Sequence, residues 1–184
     1  DFEMDTCIAK LYNSCPFLGY IFSSMKRIED NRVETICVTE TNTMLYNKQF
    51  MASLTMEWCK YVLLHECMHK INEHFKRGNS YCMNSHGKSL KNMLKEDPKI
   101  MHDFNIAMDI SVNQICDKQF ERPPFGIHIE EISEKIRKTL DKDREWEYYY
   151  QILQESETED ITDMDHSNHI DTDGEPQDSE PQDG

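Results

Sequence analysis

A long run of apolar residues at helical spacing limits what this chain can fold into more than any other feature. The run extends from Leu54 to Phe75 and repeats every three to four residues, which is typical of one face of a buried helix. Ser53 before it is a suitable N-cap, and Gly78 after it is a suitable helix end. We therefore predict one continuous helix over 54–77.

This predicted helix carries the sequence His65-Glu66-Cys67-Met68-His69, an H-E-x-x-H pattern. Residues four apart lie on the same helical face, so two imidazoles can bind one tetrahedral zinc ion. Glu66 is rotated by about 100° from His65 and can reach a water molecule on that zinc. The pattern predicts His65 and His69 as metal ligands and Glu66 as the general base of a zinc hydrolase.

A catalytic zinc ion normally has three protein ligands and one open position, so a third ligand is expected. The candidates are His86, His102, Asp103 and Asp109. Asp109 is the most suggestive, because it lies in an otherwise apolar stretch, where a carboxylate is costly unless it is paired or bound to metal. His74 is predicted to lie at the surface, on nearly the opposite face of the helix from His69.

Asn113 lies one helical turn beyond Asp109 on the same predicted face. Two interpretations are open: it forms a hydrogen bond that orients a metal ligand, or it is an ordinary structural amide. An oxyanion stabiliser is also expected in a peptidase. Tyr46, Tyr149 and Tyr150 are candidates, although each is more readily explained as a core residue or a hydrogen-bonded phenol.

The rest of the chain predicts a mostly helical α+β domain of the zincin-like kind, with a small β-hairpin. Phe17 and Tyr20 are predicted to lie in the core. The expected elements, in order, are a helical opening over 5–28 that breaks at Cys15-Pro16, two hairpin strands at 33–39 and 44–46, a loop or insertion over 78–97 that contains a short helix at 88–95, a helix that begins at Asp97-Pro98 and carries Asp109, and a last helix over 130–155.

The charge is concentrated at the end of the chain. The net charge is −15, and residues 155–184 contain 12 acidic and no basic side chains. We expect a metallopeptidase-like domain over 1–155 and an acidic, flexible tail over 156–184, because the tail has too few apolar residues to fold alone. A cation site in the tail and masking of the active site by the tail are weaker alternatives. Such acidity disfavours nucleic-acid binding.

The cysteines and the apolar runs bear on the compartment. The seven cysteines are irregularly spaced and form no C-x-x-C pair, so we expect reduced, packed thiols rather than a disulfide framework or a Cys₄ zinc site. No apolar run is long enough to predict a membrane span or a signal peptide. A cytoplasmic location is expected.

Five segments together resemble a known family. They are Pro16–Tyr20, Met44–Phe50, Leu63–His69, Asn105–Asn113 and Glu145–Leu153. They are similar to segments of a zinc metallopeptidase domain, originally of unknown function, that precedes von Willebrand A-like domains in bacterial and phage proteins. The resemblance covers about residues 12–155. It implies a zinc-dependent peptidase fold with Asp109 as the third ligand.

The resemblance also bears on partners and source. Relatives commonly work with AAA-type ATPases, but no von Willebrand A-like domain follows here, so that partnership is not expected to carry over. A short, stand-alone version is typical of phage genomes. The expected partner is a protein or peptide substrate. The alternatives are a catalytically silent binding protein on the same fold, and a structural zinc site closed by His102 or a cysteine.

Overall fold

A computed structural model describes residues 2–39 and 41–156, which form an α+β structure that is mostly helical. The acidic segment predicted over 156–184 lies, apart from Ser156, outside the described residues. The helices of this part are α1 Met4–Ser14, α2 Pro16–Ser23, α3 Lys48–Ser53, α4 Met56–Ile71, α5 His74–His86, α6 Leu90–Glu96, α7 Pro98–Cys116, α8 Ile129–Lys135 and α9 Trp146–Glu155. The strands are β1 Lys26–Glu29, β2 Ile36–Val38 and β3 Thr43–Tyr46.

The predicted hairpin is confirmed as the antiparallel pair β2 and β3, and it belongs to a sheet with one more strand. The strand order is β1-β3-β2, and β1 pairs with β3 in parallel. The sequence did not predict β1, because three of its four residues are charged and give no apolar signal. The order leaves β2 at an edge of the sheet, where it packs against α4.

The helical opening breaks at Cys15-Pro16 as predicted, with Pro16 in the first turn of α2, but it ends at Ser23 rather than at residue 28. The two helices approach closely at Gly19, where an added Cβ would lie 2.4 Å from Cβ of Tyr12. The prediction that Phe17 and Tyr20 lie in the core is wrong: they are 63% and 70% exposed. An eight-residue helix packed by one face must leave its other face to solvent.

The prediction of one continuous helix over 54–77 is wrong. α4 begins after Thr55, whose hydroxyl accepts a hydrogen bond from the Trp58 amide, so Thr55 rather than Ser53 is the N-cap. The helix ends at Ile71, and Glu73 adopts a left-handed conformation with φ of 50°. A new helix, α5, then begins at His74. The break between α4 and α5 was not predicted because the apolar residues keep their helical spacing across it.

The loop predicted over 78–97 is also largely helical, since α5 extends through Gly78 to His86 and α6 follows. α6 confirms the short helix predicted at 88–95. The helix opened by Asp97-Pro98 is confirmed, with the Asp97 carboxylate accepting a bond from the Lys99 amide. The last predicted helix is divided into α8 and α9, with a non-helical connection between them.

Buried side chains form two hydrophobic clusters. The first unites α1, α2, the sheet and α4, and the second unites α5, α6, α8 and α9. Helix α7 belongs to both: Val112 and Cys116 lie in the first cluster, while Phe104 and Ile110 lie in the second. α7 therefore spans the boundary at which α4 meets it.

Two further expectations concern cysteines and membranes. None of the seven cysteines, all of which lie in the described part of the chain, forms a disulfide, and six of them are buried, as predicted for packed small hydrophobes. Within residues 2–39 and 41–156, no helix has the length and apolar character needed to cross a bilayer.

Candidate metal centre

Helices α4 and α7 run antiparallel and meet through polar side chains spaced one turn apart. The Tyr61 hydroxyl donates to Asp117 at 2.9 Å, and His65 Nδ1 lies 2.7 Å from Asn113 Oδ1. His69 Nε2 then lies 3.2 Å from Asp109 Oδ1. Each step of four residues forward on α4 is a step of four backward on α7, so the pairs form a ladder that ends at the two predicted ligands.

The predicted ligands His65, His69 and Asp109 are brought together. His65 Nε2 is 3.0 Å from His69 Nε2 and 3.6 Å from Asp109 Oδ1. With the 3.2 Å contact between His69 and Asp109, the three atoms form a nearly equilateral triangle. Two ligands of a tetrahedral zinc ion are separated by roughly 3.3–3.4 Å when the metal–ligand bonds are about 2.0–2.1 Å. The triangle matches that spacing.

The donor set and its burial also fit a metal ion. The three side chains are 7%, 6% and 2% exposed, in the order His65, His69 and Asp109. A buried carboxylate is costly unless its charge is compensated, and a divalent cation supplies that compensation. Among the described residues, the cluster found to be suited to a metal consists of these three side chains. Two imidazoles and one carboxylate leave a fourth position for water in a catalytic zinc site.

Asn113 fixes the orientation of His65, which supports the first of its two predicted interpretations. Its Nδ2 group donates to the Ile127 carbonyl oxygen at 2.7 Å, so its Oδ1 atom faces His65. An amide oxygen can only accept, so His65 must carry a proton on Nδ1. In the neutral ring Nε2 then carries no proton, and its lone pair is directed at His69 and Asp109. Gly126, with φ of 95°, provides the turn before Ile127.

Glu66 is held by the backbone of the edge strand. Its Oε2 atom accepts a hydrogen bond of 3.1 Å from the Val38 amide, and its side chain is 2% exposed. Val38 opposes Met44, and the next residue, Thr39, donates through its amide to the Thr43 carbonyl. In an antiparallel ladder the amides alternate in direction, so the Val38 amide points away from β3 and toward Glu66.

The expectation for His74 is wrong, and His74 is the residue that sequence reasoning missed. It is 2% exposed, and its Nδ1 atom lies 2.9 Å from Nδ1 of His69. The prediction assumed an unbroken helix. The left-handed turn at Glu73 instead places the His74 side chain on the same side as His69. His69 and His74 line a cleft of about 540 Å³, together with Val38 and Phe75.

The other candidate ligands lie elsewhere. His86 is exposed at the end of α5. Asp103 is buried, but its carboxylate accepts hydrogen bonds from Lys99 and Gln154. His102 Nδ1 lies 3.7 Å from Asp103 Oδ1. In the part of the chain that the structure describes, none of them joins the group of three side chains suited to a metal. His102 is therefore not placed as a fourth ligand.

The tyrosine candidates have structural contacts. The Tyr149 hydroxyl accepts from Gln114 and donates to the Asp141 carbonyl oxygen. Tyr150 stacks on Phe104 at a centroid distance of 4.1 Å, and Tyr46 lies beside Phe2. Burial raises the pKa of Tyr150, so its phenol stays protonated. These contacts agree with the structural interpretation of the three side chains.

Cysteines do not contribute ligands to the cluster among the described residues. Burial raises the pKa of Cys67, inside the H-E-x-x-H pattern, to about 12. Burial also raises the pKa of Cys116, on α7, well above its usual value. Metal ligation and nucleophilic attack require the thiolate, so these thiols act as packing groups.

Two imidazoles and one carboxylate, gathered by two antiparallel helices beside a buried glutamate, define a candidate metal-binding site. The chain belongs to the family described as "Putative metallopeptidase domain", whose model matches residues 2–182. This confirms the family resemblance identified from the sequence. Searches among curated proteins and among solved structures found no match.

Proposed function

We propose that this chain is a zinc-dependent peptidase that cleaves peptide bonds with Glu66 as general base. The observation that carries the proposal is the triangle of His65 Nε2, His69 Nε2 and Asp109 Oδ1, with edges of 3.0–3.6 Å, adjacent to Glu66. The donor set suits zinc because this borderline-soft cation is bound by imidazole and by carboxylate, with two histidines and one carboxylate among its catalytic ligand sets. The family description supports the same class of activity.

Each side chain has a separate task in this proposal. His65, His69 and Asp109 hold the metal, and Asn113 keeps the lone pair of His65 directed at it. Bound zinc supplies Lewis acidity and lowers the pKa of a bound water. Glu66 accepts the proton of the attacking water and can return it to the leaving amine. The Val38 amide holds one oxygen of Glu66 in place.

The experiment compares the wild type with Glu66→Gln, which keeps the size and the hydrogen-bond acceptor but removes the base. Elemental mass spectrometry should find one zinc per chain in both proteins. Cleavage of a degenerate peptide library should fall in Glu66→Gln by about 10²–10⁴-fold, the usual contribution of a general base. His69→Ala and Asp109→Ala serve as controls that should lose the zinc.

Three outcomes would contradict the proposal. If the wild type binds no zinc after zinc is added back, the metal assignment is wrong. If it binds zinc and cleaves no member of the library, the chain is a binding protein on this fold. If Glu66→Gln cleaves as fast as the wild type, another group is the base.

A further inference from the structure

His74 contacts His69, one of the three side chains of the candidate metal site. Its Nδ1 atom lies 2.9 Å from Nδ1 of His69, and the two rings are nearly perpendicular, at 86°, with centroids 4.8 Å apart. His74 is 2% exposed. An imidazole edge directed at an imidazole nitrogen at this distance is a hydrogen bond rather than a stacking contact.

The break between α4 and α5 creates this contact. In an unbroken helix, residues five apart differ by about 140° around the axis, so His69 and His74 would face apart. Glu73 instead adopts φ of 50°, and α5 begins at the next residue. The left-handed region costs a residue other than glycine conformational energy. This strained residue forms the turn that places His74 beside His69.

The direction of the bond follows from the role of His69. Its Nε2 atom belongs to the triangle, and a nitrogen that binds a metal carries no proton. The proton of neutral His69 is therefore on Nδ1, which donates to His74. Nδ1 of His74 must then be an acceptor, so its own proton is on Nε2.

We propose that His74 is a positioning residue, which fixes the tautomer and the ring orientation of His69 so that Nε2 faces the metal. This inference rests on the proposed function, since it requires that the triangle holds zinc. The outer partner of a metal-binding histidine is usually a carboxylate, a backbone carbonyl or water. Here both partners are neutral side chains, Asn113 for His65 and His74 for His69. Asp109 would thus be the one of the three ligands that brings negative charge to the metal.

His74 is not itself a ligand in this arrangement. Its Nδ1 atom faces the outer nitrogen of His69, on the side of that ring opposite to the triangle. The metal-suited cluster among the described residues does not include it. A positioning role and a ligand role therefore predict different losses when the side chain is changed.

Zinc affinity of the full chain, measured by competition with a chromogenic chelator, tests the proposal. His74→Leu removes the acceptor and should weaken zinc binding about 10–100-fold. His74→Asn places an amide oxygen near the position of Nδ1 and should bind zinc within about threefold of the wild type. His86→Leu, at the exposed end of the same helix, is the matched control and should bind as the wild type does.

A second measurement does not depend on any variant folding. Long-range proton–nitrogen NMR of the zinc-loaded wild type should show the proton of His69 on Nδ1 and that of His74 on Nε2. The opposite tautomer at either ring would overturn the proposal. So would unchanged affinity in His74→Leu, which indicates packing alone. An equal loss of affinity in His74→Leu, His74→Asn and His69→Ala would instead make His74 a ligand.

The inference and the proposed function fail in different ways. Zinc bound without peptide cleavage would refute the peptidase, while the affinities and tautomers would still support His74. Cleavage with wild-type zinc affinity in His74→Leu would refute the role of His74 alone. A wild type without zinc would refute both.

Discussion

At the scale of single residues, the site depends on which nitrogen of each histidine carries a proton. Asn113 decides this for His65, because its oxygen can only accept a hydrogen bond and its amide group is already bonded to the Ile127 carbonyl. The two bonds are of 2.7 Å each and are buried. Because the tautomer is fixed before the metal binds, no free energy of metal binding is lost in selecting it.

Replacement of Asn113 should therefore weaken zinc binding without removing a ligand. We expect Asn113→Ala to lower zinc affinity about 10–100-fold, as typical for loss of an outer-shell partner. The matched variant is Tyr61→Phe, which removes the neighbouring bond of the ladder to Asp117. It should cost about 1 kcal/mol of unfolding free energy and leave zinc affinity unchanged. Chelator competition and urea unfolding of both variants check this, and equal zinc affinities would contradict it.

At the scale of elements, a hydrogen bond from a backbone amide of the edge strand to a side chain of α4 connects the two elements. The Val38 amide points away from the β-ladder and donates to Glu66. A bond to a charged acceptor contributes about 1.5–3 kcal/mol. The strand would thus orient the proposed base, while the helices would orient the proposed ligands.

Val38→Pro removes this amide and nothing else from the backbone pairing, since proline is tolerated where an edge-strand amide does not join the ladder. We expect zinc to stay bound and the cleavage rate to fall at least about tenfold, equivalent to roughly 1.4 kcal/mol. Val38→Ala keeps the amide and should retain the rate within a few-fold. Steady-state kinetics with a peptide found in the library screen measure both, and full activity in Val38→Pro would show that Glu66 needs no anchor.

The elements show why the sequence predicted some of this and not the rest. The H-E-x-x-H pattern and a carboxylate in an apolar helix are local signals, so spacing and polarity predict His65 and His69 as ligands and make Asp109 a candidate, and the family resemblance implies Asp109 as the third ligand. The position of His74 depends on one left-handed residue, Glu73, which carries no glycine or asparagine signature. Asp117, which extends the ladder, was not singled out because its partner is 56 residues away.

At the scale of the whole molecule, the site lies where the two hydrophobic clusters meet. α4 packs in the first cluster, whereas α7 contributes to both, with Phe104 and Ile110 in the second. His65 and His69 come from α4, and Asp109 comes from α7 between those two parts. A metal ion held by both helices would therefore join the two halves of the fold.

Zinc should accordingly stabilise the protein as a whole. Free zinc at about 1,000 times its dissociation constant contributes about 4 kcal/mol, which for a chain of this size raises Tm by roughly 8–16 °C. Calorimetry with and without a chelator measures the shift. Asp109→Asn should abolish it, whereas Asp103→Asn, a buried carboxylate of the same helix bonded to Lys99, should lower the starting Tm but keep the zinc shift. An unchanged Tm in wild type would contradict the assignment.

The ladder between α4 and α7 has a consequence for protein design. Its three pairs, Tyr61 with Asp117, His65 with Asn113 and His69 with Asp109, span nine residues of α4 and the last eight residues of α7 with its C-cap, Asp117, which is about 12 Å of helical rise. Ligands, one outer partner and a clamp between the helices are thus written in two short i, i+4, i+8 series. Grafting this module onto an antiparallel helical hairpin would also require groups from outside the two series: a carbonyl oxygen for Asn113, a partner for His69 and a strand amide for the base.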